Sequence, residues 1–335
     1  MRNANRQFTL AARPSGLAGP EHFAERIAPI RSPDPGEVLL ETLYLSIDPA
    51  MRVWINENPG YVPPVAIGEV MRAGGIARVL ESRAEGLAPG DVVLARTGWQ
   101  SHPTLPAAEI NRIDLALGVP LDWLGLLGMT GLTAYFGLRE VGRARPGETI
   151  LVSGAAGAVG QVVGQIGKID DCRVVGIAGG AEKCALLVDE HGFDAAIDYN
   201  AEPDLAAAIG RTCPGGVDVF YDNVGGPTLD AALAALRVRG RAVICGRISQ
   251  TASTELYGVR NIGLLIGKRA RIEGFVVSDF QDRFAQARHW LAAQRDAGQM
   301  HQRLHVVDGL EQAPAGLGML FRGENMGKLV VKVAN

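Results

Sequence analysis

Small residues crowd one place in the sequence. Ser153 to Ala158 lie between an apolar, strand-like run, Thr149 to Val152, and a segment of helical character that reaches Lys168. Ala155-Ala156-Gly157-Ala158-Val159-Gly160 fits A-x-G-x-x-G, a relative of the dinucleotide fingerprint G-x-G-x-x-G. Here the chain must turn tightly from strand to helix, bring its backbone close to a pyrophosphate, and pack the helix against the strand. Each demand excludes a bulky side chain. The start of the helix then offers N–H groups and the positive end of its dipole to negative charge.

The surroundings support this reading. Beyond Leu124, strand signals recur every 20 to 30 residues or so: ETILVSG (148–154), RVVGIAG (173–179), AAIDY (195–199), VDVFYDNVG (217–225), RAVICGR (241–247) and RIEGFVV (271–277). Helical stretches lie between them, among them Glu182 to His191 and Thr228 to Arg237. Such alternation predicts βαβ units and a parallel sheet covered by helices, the doubly wound Rossmann class of α/β fold. The first 120 residues read differently. GEVLLETLYLSID (36–48), GGIARVLES (74–82) and GDVVLAR (90–96) are strand-like and punctuated by Pro-Gly turns, which predicts a mainly-β domain. The last 30 residues read strand, helix, turn, strand and are expected to rejoin that domain. The boundaries expected are 1–124 and 301–335 for the mainly-β domain, and 125–300 for the nucleotide domain.

The second strand points to the kind of dinucleotide. An NAD site carries Asp or Glu at the tip of this strand, bonded to the ribose 2′-OH. Here the tip is Ala178-Gly179-Gly180, and Lys183 follows at the start of the next helix. The missing acid leaves room for a 2′-phosphate and the lysine supplies a counter-charge, which favours NADP over NAD. The alternative for Lys183 is a solvated helix residue.

Other chemistries find less support. Cys172, Cys184, Cys213 and Cys245 are too widely spaced for a structural zinc lobe. The six histidines offer no convincing i, i+4 ligand pair, so no metal is expected. Without a Lewis acid, oxidation of a simple alcohol is disfavoured. The net charge of −3 gives no reason to expect nucleic acid or an anionic membrane as partner. No apolar run is long enough to span a bilayer, no signal-peptide core opens the chain, and a cytoplasmic location is expected.

Taken in order, several stretches resemble the zinc-independent medium-chain dehydrogenase/reductase superfamily. The similarity is greatest to its branch of prostaglandin reductases, alkenal double-bond reductases and bacterial NADPH-dependent curcumin reductases. The stretches are SIDPAMRVWI (46–55), YVPPVAIGEVMRAGG (61–75), GMTGLTAYFGL (128–138), VSGAAGAVGQVVGQIGK (152–168), YDNVGG (221–226), CGRIS (245–249), EGFVV (273–277) and GENMGKLVV (323–331). The resemblance implies a GroES-like catalytic domain built from both chain ends, with the NADP(H)-binding domain inserted. It places Ala156, Gly157, Ala158 and Val159 on the pyrophosphate, Lys183 and Tyr199 at the 2′-phosphate, and Asn223 near the adenosine ribose. Cys245, Gly246, Ile248 and Ser249, with Phe275, Val276 and Val277, would line the nicotinamide half. Met129 and Thr133 would contact the carboxamide, and Asn325 would reach the nicotinamide end.

The chemistry implied is NADPH-dependent reduction of the C=C bond of α,β-unsaturated ketones or aldehydes, by hydride transfer to the β-carbon. The alternatives are an NADPH quinone oxidoreductase and a non-catalytic NADPH-binding protein. Tyr61 and Tyr257 are the candidate catalytic tyrosines. Ala50 and Thr251 stand where many relatives carry tyrosine, so a wider pocket and tolerance of bulkier enones are expected. Arg52 is expected in a structural ion pair, and Trp54 and Trp99 as apolar walls. A homodimer is expected from the resemblance, with Arg271 to Val277 as the pairing edge.

Overall fold

The computed structural model describes residues 4–60, 62–253, 255 and 257–334. They form two compact units: residues 1–124 with 304–335, and residues 125–303.

The first unit opens with an antiparallel hairpin, β1 (Ala4–Leu10) and β2 (Phe23–Pro29). The ten-residue strand β3 (Glu37–Ser46) follows, then the short helix α1 (Ala50–Trp54). Next come β4 (Gly75–Ser82), β5 (Val92–Ala95), β6 (Thr104–Pro106) and β7 (Ile110–Arg112).

The second unit holds α2 (Met129–Phe136), β8 (Thr149–Ser153), α3 (Gly160–Ile169), β9 (Arg173–Ala178), α4 (Ala181–Ala185) and β10 (Ala195–Asp198). It continues through α5 (Leu205–Thr212), β11 (Val217–Asp222), α6 (Gly226–Ala235) and β12 (Leu236–Ile244). It ends with α7 (Ile248–Thr251), α8 (Leu264–Lys268), β13 (Arg271–Gly274) and α9 (Phe284–Asp296). The chain then returns to the first unit with β14 (Leu304–Asp308), α10 (Ala313–Arg322) and β15 (Lys328–Lys332).

The return is enforced by pairing. β15 lies antiparallel to β3, with Val330 opposite Ser46, inside a seven-stranded sheet. One core then draws on both chain ends: Leu45, Ile47, Met51 and Ile55 pack with Leu317, Leu329 and Val331. Trp99 belongs to this core. It is fully buried, 4.8 Å from the ring of Phe23, so it forms no pocket wall.

The second unit contains a six-stranded parallel sheet in the order β10-β9-β8-β11-β12-β13. Its central strands are near-continuous apolar runs because both faces are covered. Leu151, Val175 and Phe220 pack with Ala208 and Ile209 of α5 and Leu229 and Leu233 of α6. Their neighbours Ile150 and Val174 face α3, where a Cβ on Gly167 would come within 2.7 Å and 2.9 Å of them. A Cβ on Gly164 would run into the ring of Phe193. The glycines of α3 therefore serve close helix–sheet packing, as their spacing suggests.

Candidate active site at the carboxyl edge of the parallel sheet

Parallel strands end on one edge, and the strand order reverses direction between β8 and β11. In open α/β sheets ligands bind outside the carboxyl ends at such a switch point. The candidate residues gather there. Ala156 to Val159 follow β8, Lys183 follows β9, Tyr199 follows β10 and Asn223 follows β11. Cys245 to Ser249 follow β12, and Phe275 to Val277 follow β13.

The loop after β8 has no room for side chains at its tightest points. Gly154 turns with φ of +57°. A Cβ on Gly160 would lie 2.5 Å from the carbonyl oxygen of Gly154 and 2.7 Å from Cα of Ala155. A Cβ on Gly157 would lie 3.1 Å from the same carbonyl. Ala156 is buried, whereas Gly157, Ala158 and Val159 are half-buried, and α3 runs ten residues from this point.

Ser153 and Asp222 lace the switch point together. Ser153 Oγ donates to Asp222 Oδ1 at 2.7 Å and accepts from the Asn223 amide at 2.9 Å. Asp222 Oδ1 also accepts from the Val224 and Gly225 amides, although burial pushes this carboxyl up from its ordinary value. Asn223 Nδ2 donates to the Ser153 carbonyl at 2.8 Å. The amides of Cys245 and Gly246 donate to the Asp222 carbonyl, and those of Ile248 and Ser249 donate to the carbonyls of Asn223 and Val224. This web sets the β12 loop against the β11 loop.

At the other end of the edge, Asp198 Oδ1 accepts from the Gly180 amide at 2.7 Å and from the Asn200 amide at 3.0 Å. The turn after β9 is thereby tied to β10. Tyr199 is half exposed, and a Cβ on Gly179 would lie 2.8 Å from its hydroxyl and 2.9 Å from its ring. Lys183 stands in α4 above this turn, where burial pushes its ammonium down from its ordinary value. The arrangement is a glycine turn, an exposed phenol and a cation; the tip of β9 has no acid of its own, and the Asp198 carboxylate that reaches it from β10 accepts backbone amides. It fits a phosphorylated ribose.

Thr133 joins the edge through Tyr221, whose hydroxyl donates to the Thr133 carbonyl at 2.9 Å. The Thr133 hydroxyl donates to the Met129 carbonyl, and the Met129 side chain is exposed at the start of α2. Phe275 is half-buried beside Gly137, where an added Cβ would sit 2.6 Å from its ring. Val276 is exposed and Val277 half-buried. Asn325 belongs to the other unit, buried in the turn before β15, where Nδ2 donates to the Gly327 carbonyl at 2.8 Å. Tyr61 lies outside the described residues. Tyr257 has its hydroxyl 2.8 Å from Asp230 Oδ2 in α6.

Arg52 differs from the expected ion pair. It is buried, and its hydrogen bonds run to the carbonyls of Gly16 and Pro14 and to Oδ1 of Asn56, none of them a carboxylate. The site reading from sequence also missed Ser153–Asp222, Asp198, and two buried glutamines of α3, Gln161 and Gln165. Glutamine at i, i+4 on a helix whose other residues up to Gly167 are Gly, Val and Ile is the signal that could have found the last pair.

The chain matches two family models, one described as the N-terminal domain of oxidoreductase (residues 6–113) and one as zinc-binding dehydrogenase (residues 158–293). Despite the second description, no group of three His, Cys, Asp or Glu among the described residues could hold a metal ion. The chain is 40% identical to the NADPH-dependent curcumin reductase of Escherichia coli, across 98% of this chain and 97% of that protein. It is 43% identical to the NADP(+)-dependent 2-alkenal reductase of Nicotiana tabacum, across 89% and 88%. The crystal structure of CurA from Vibrio vulnificus in complex with NADPH superposes with a TM-score of 0.93 at 38% identity, covering 98% of this chain and 99% of that one. The chain belongs to the zinc-independent branch of the medium-chain dehydrogenase/reductase superfamily, alongside the curcumin, alkenal and prostaglandin reductases.

Proposed function

We propose that the protein reduces the C=C bond of α,β-unsaturated ketones or aldehydes with NADPH and without a metal. The observation that carries this reading is the carboxyl edge itself. It is a glycine-lined turn into α3 beside a lysine-flanked tip of β9 whose own residues include no acid, in a chain similar over 98% of its length to a curcumin reductase that uses NADPH.

Bound NADPH supplies the hydride. The chain's residues do the rest. Ala156, Gly157, Ala158 and Val159 hold the pyrophosphate with backbone N–H groups at the start of α3. Lys183 and Tyr199 take the 2′-phosphate, the lysine as counter-charge and the phenol as donor. Asn223 lies toward the adenosine ribose. Cys245, Gly246, Ile248 and Ser249, with Phe275, Val276 and Val277, line the nicotinamide half. Met129 and Thr133 serve its carboxamide, and Asn325 its far end. The unit of residues 125–303 is the NADP-binding domain in this reading, and the mainly-β unit is the GroES-like catalytic domain.

Negative charge develops on the substrate carbonyl oxygen as the β-carbon is reduced, so a hydrogen-bond donor must be aimed at that oxygen. Tyr61 is our candidate for this donor or for proton delivery at the α-carbon. Tyr257 is the weaker candidate because its hydroxyl is engaged by Asp230.

A homodimer through β13 is supported by the exposure of that edge strand and of Ile262, Leu264, Ile266 and Val276 around it. The four free cysteines suit a reducing, cytoplasmic compartment. The test is NADPH oxidation with product analysis, using enones of graded size, a small enal, a para-quinone and a saturated aldehyde. Conversion of an enone to the saturated ketone, with NADPH preferred over NADH, is the expected result. Turnover of the quinone alone overturns it.

A further inference from the structure

Two glutamines of α3 bind a piece of backbone as a β-strand would. Gln165 Oε1 accepts from the His301 amide at 2.6 Å, and its Nε2 donates to the His301 carbonyl at 2.8 Å. Gln161 Oε1 accepts from the Arg303 amide at 2.8 Å, and its Nε2 donates to the Arg303 carbonyl at 3.3 Å. Gln161 is fully buried and Gln165 is 2% exposed.

The spacing explains the pairing. Residues four apart on a helix rise about 6 Å. Alternate residues of an extended chain are about 6.6 Å apart and face the same way. One helix face can therefore read residues 301 and 303, and a primary amide on a long side chain offers each of them a separate donor and acceptor side by side. A buried glutamine without such partners would be destabilising.

Residue 302 faces elsewhere. Gln302 Oε1 accepts from the Leu126 amide at 2.7 Å, and a Cβ on Gly125 would run into its side chain. The chain enters this unit at residue 125 and leaves it at residue 303. Three glutamines thus lace the entry and the exit together and fasten both to α3. The point of attachment is close to the glycine turn. Gln161 is the second residue of α3, and its own amide donates to the Gly157 carbonyl.

We infer that Gln161 and Gln165 are positioning residues that couple occupancy of the pyrophosphate turn to the order of the two segments joining the units. The inference rests on the cofactor site of the proposed function. A pyrophosphate seated at the start of α3 fixes the first turn of the helix. The glutamine pair passes that fixation to residues 301–303, and Gln302 passes it to residues 125–126. Neither glutamine touches the cofactor in this scheme.

The test is hydrogen exchange of peptides covering 122–128 and 299–305, with and without NADP+. It is run on the wild type and on Gln161→Leu/Gln165→Leu, with NADP+ affinity measured separately by tryptophan fluorescence. In the wild type, NADP+ is expected to slow exchange in both peptides by about tenfold or more. In the double variant, affinity should stay within about threefold while the slowing is lost and kcat falls about tenfold at nearly unchanged KM for NADPH. NADP+ binding to the wild type without any change at these peptides overturns the inference, whether or not the variant folds. So does a double variant that keeps both the slowing and kcat. Coupled exchange in a protein that reduces no enone keeps this inference and removes the reductase reading. A protein that does not bind NADP+ loses both.

Discussion

The hydroxyl of Tyr257 donates to Oδ2 of Asp230 at 2.8 Å, and the same carboxylate accepts the amides of Arg260 and Asn261. The loop after α7 is thereby fastened to α6. The carboxylate also pushes the phenol up from its ordinary value, away from easy deprotonation. A tyrosine held in this way fits loop anchoring better than proton delivery. Tyr257→Phe is expected to leave kcat for a good enone within about threefold, whereas loss of a general acid costs about 10²–10⁴. Steady-state kinetics of the variant decides between the two.

Gly160 and Gly164 are both crowded, but by different neighbours. A Cβ at Gly160 meets backbone of the turn itself, while a Cβ at Gly164 meets the Phe193 ring. Gly160→Ala is expected to weaken NADPH binding at least about tenfold, because the turn must shift away from the ligand. Gly164→Ala should instead cost about 1–3 kcal/mol of stability by overpacking and leave affinity nearly unchanged. Titration of NADPH and urea unfolding of both variants check the contrast.

Lys183 follows a turn, Gly179-Gly180, with no acid in its own sequence. If its ammonium meets the 2′-phosphate, Lys183→Ala should raise KM for NADPH by about 10- to 100-fold, the size of a charge-assisted hydrogen bond. KM for NADH should move by no more than about twofold. Equal effects on the two cofactors would remove Lys183 from the phosphate site.

His191 is buried with neither ring nitrogen hydrogen-bonded, and burial pushes its imidazole from 6.5 down to about 4. Glu190 opposes this shift, while His301 and Arg303 add to it. The unfolded chain therefore binds a proton that the folded protein refuses between these values. The contribution of His191 to stability is expected to be fully present above pH 6.5 and to fall as pH drops toward 4, by an amount on the order of 3 kcal/mol. His191→Leu should flatten this acid slope. Urea unfolding between pH 7.5 and 4 measures it, and an unchanged slope would exclude His191 as the cause.

An enzyme for electrophilic enones benefits from inert thiols. Burial pushes Cys172 up to about 11 and Cys245 up to about 12, and raises Cys184 and Cys213 as well. At pH 8 a thiol at about 11 is roughly one part in a thousand thiolate, the reactive form. Mass spectrometry after incubation with an enone at pH 8 should find the folded protein unmodified at these positions and the urea-unfolded chain alkylated. Rapid labelling of folded Cys245 would contradict the burial argument.

Local sequence determined much of this protein. The strands of the parallel sheet follow from apolar runs and the tight turn into α3 from small residues at fixed spacing, because each is set by neighbours a few residues apart. The tertiary structure decided what depends on distant partners. It took Trp99 into the core and gave Arg52 carbonyls instead of a carboxylate. It also engaged Tyr257 with Asp230 and spent Gln161 and Gln165 on backbone more than 130 residues away. A side chain's partners are chosen by where the chain returns in space, and the spacing of residues along the sequence does not encode that return.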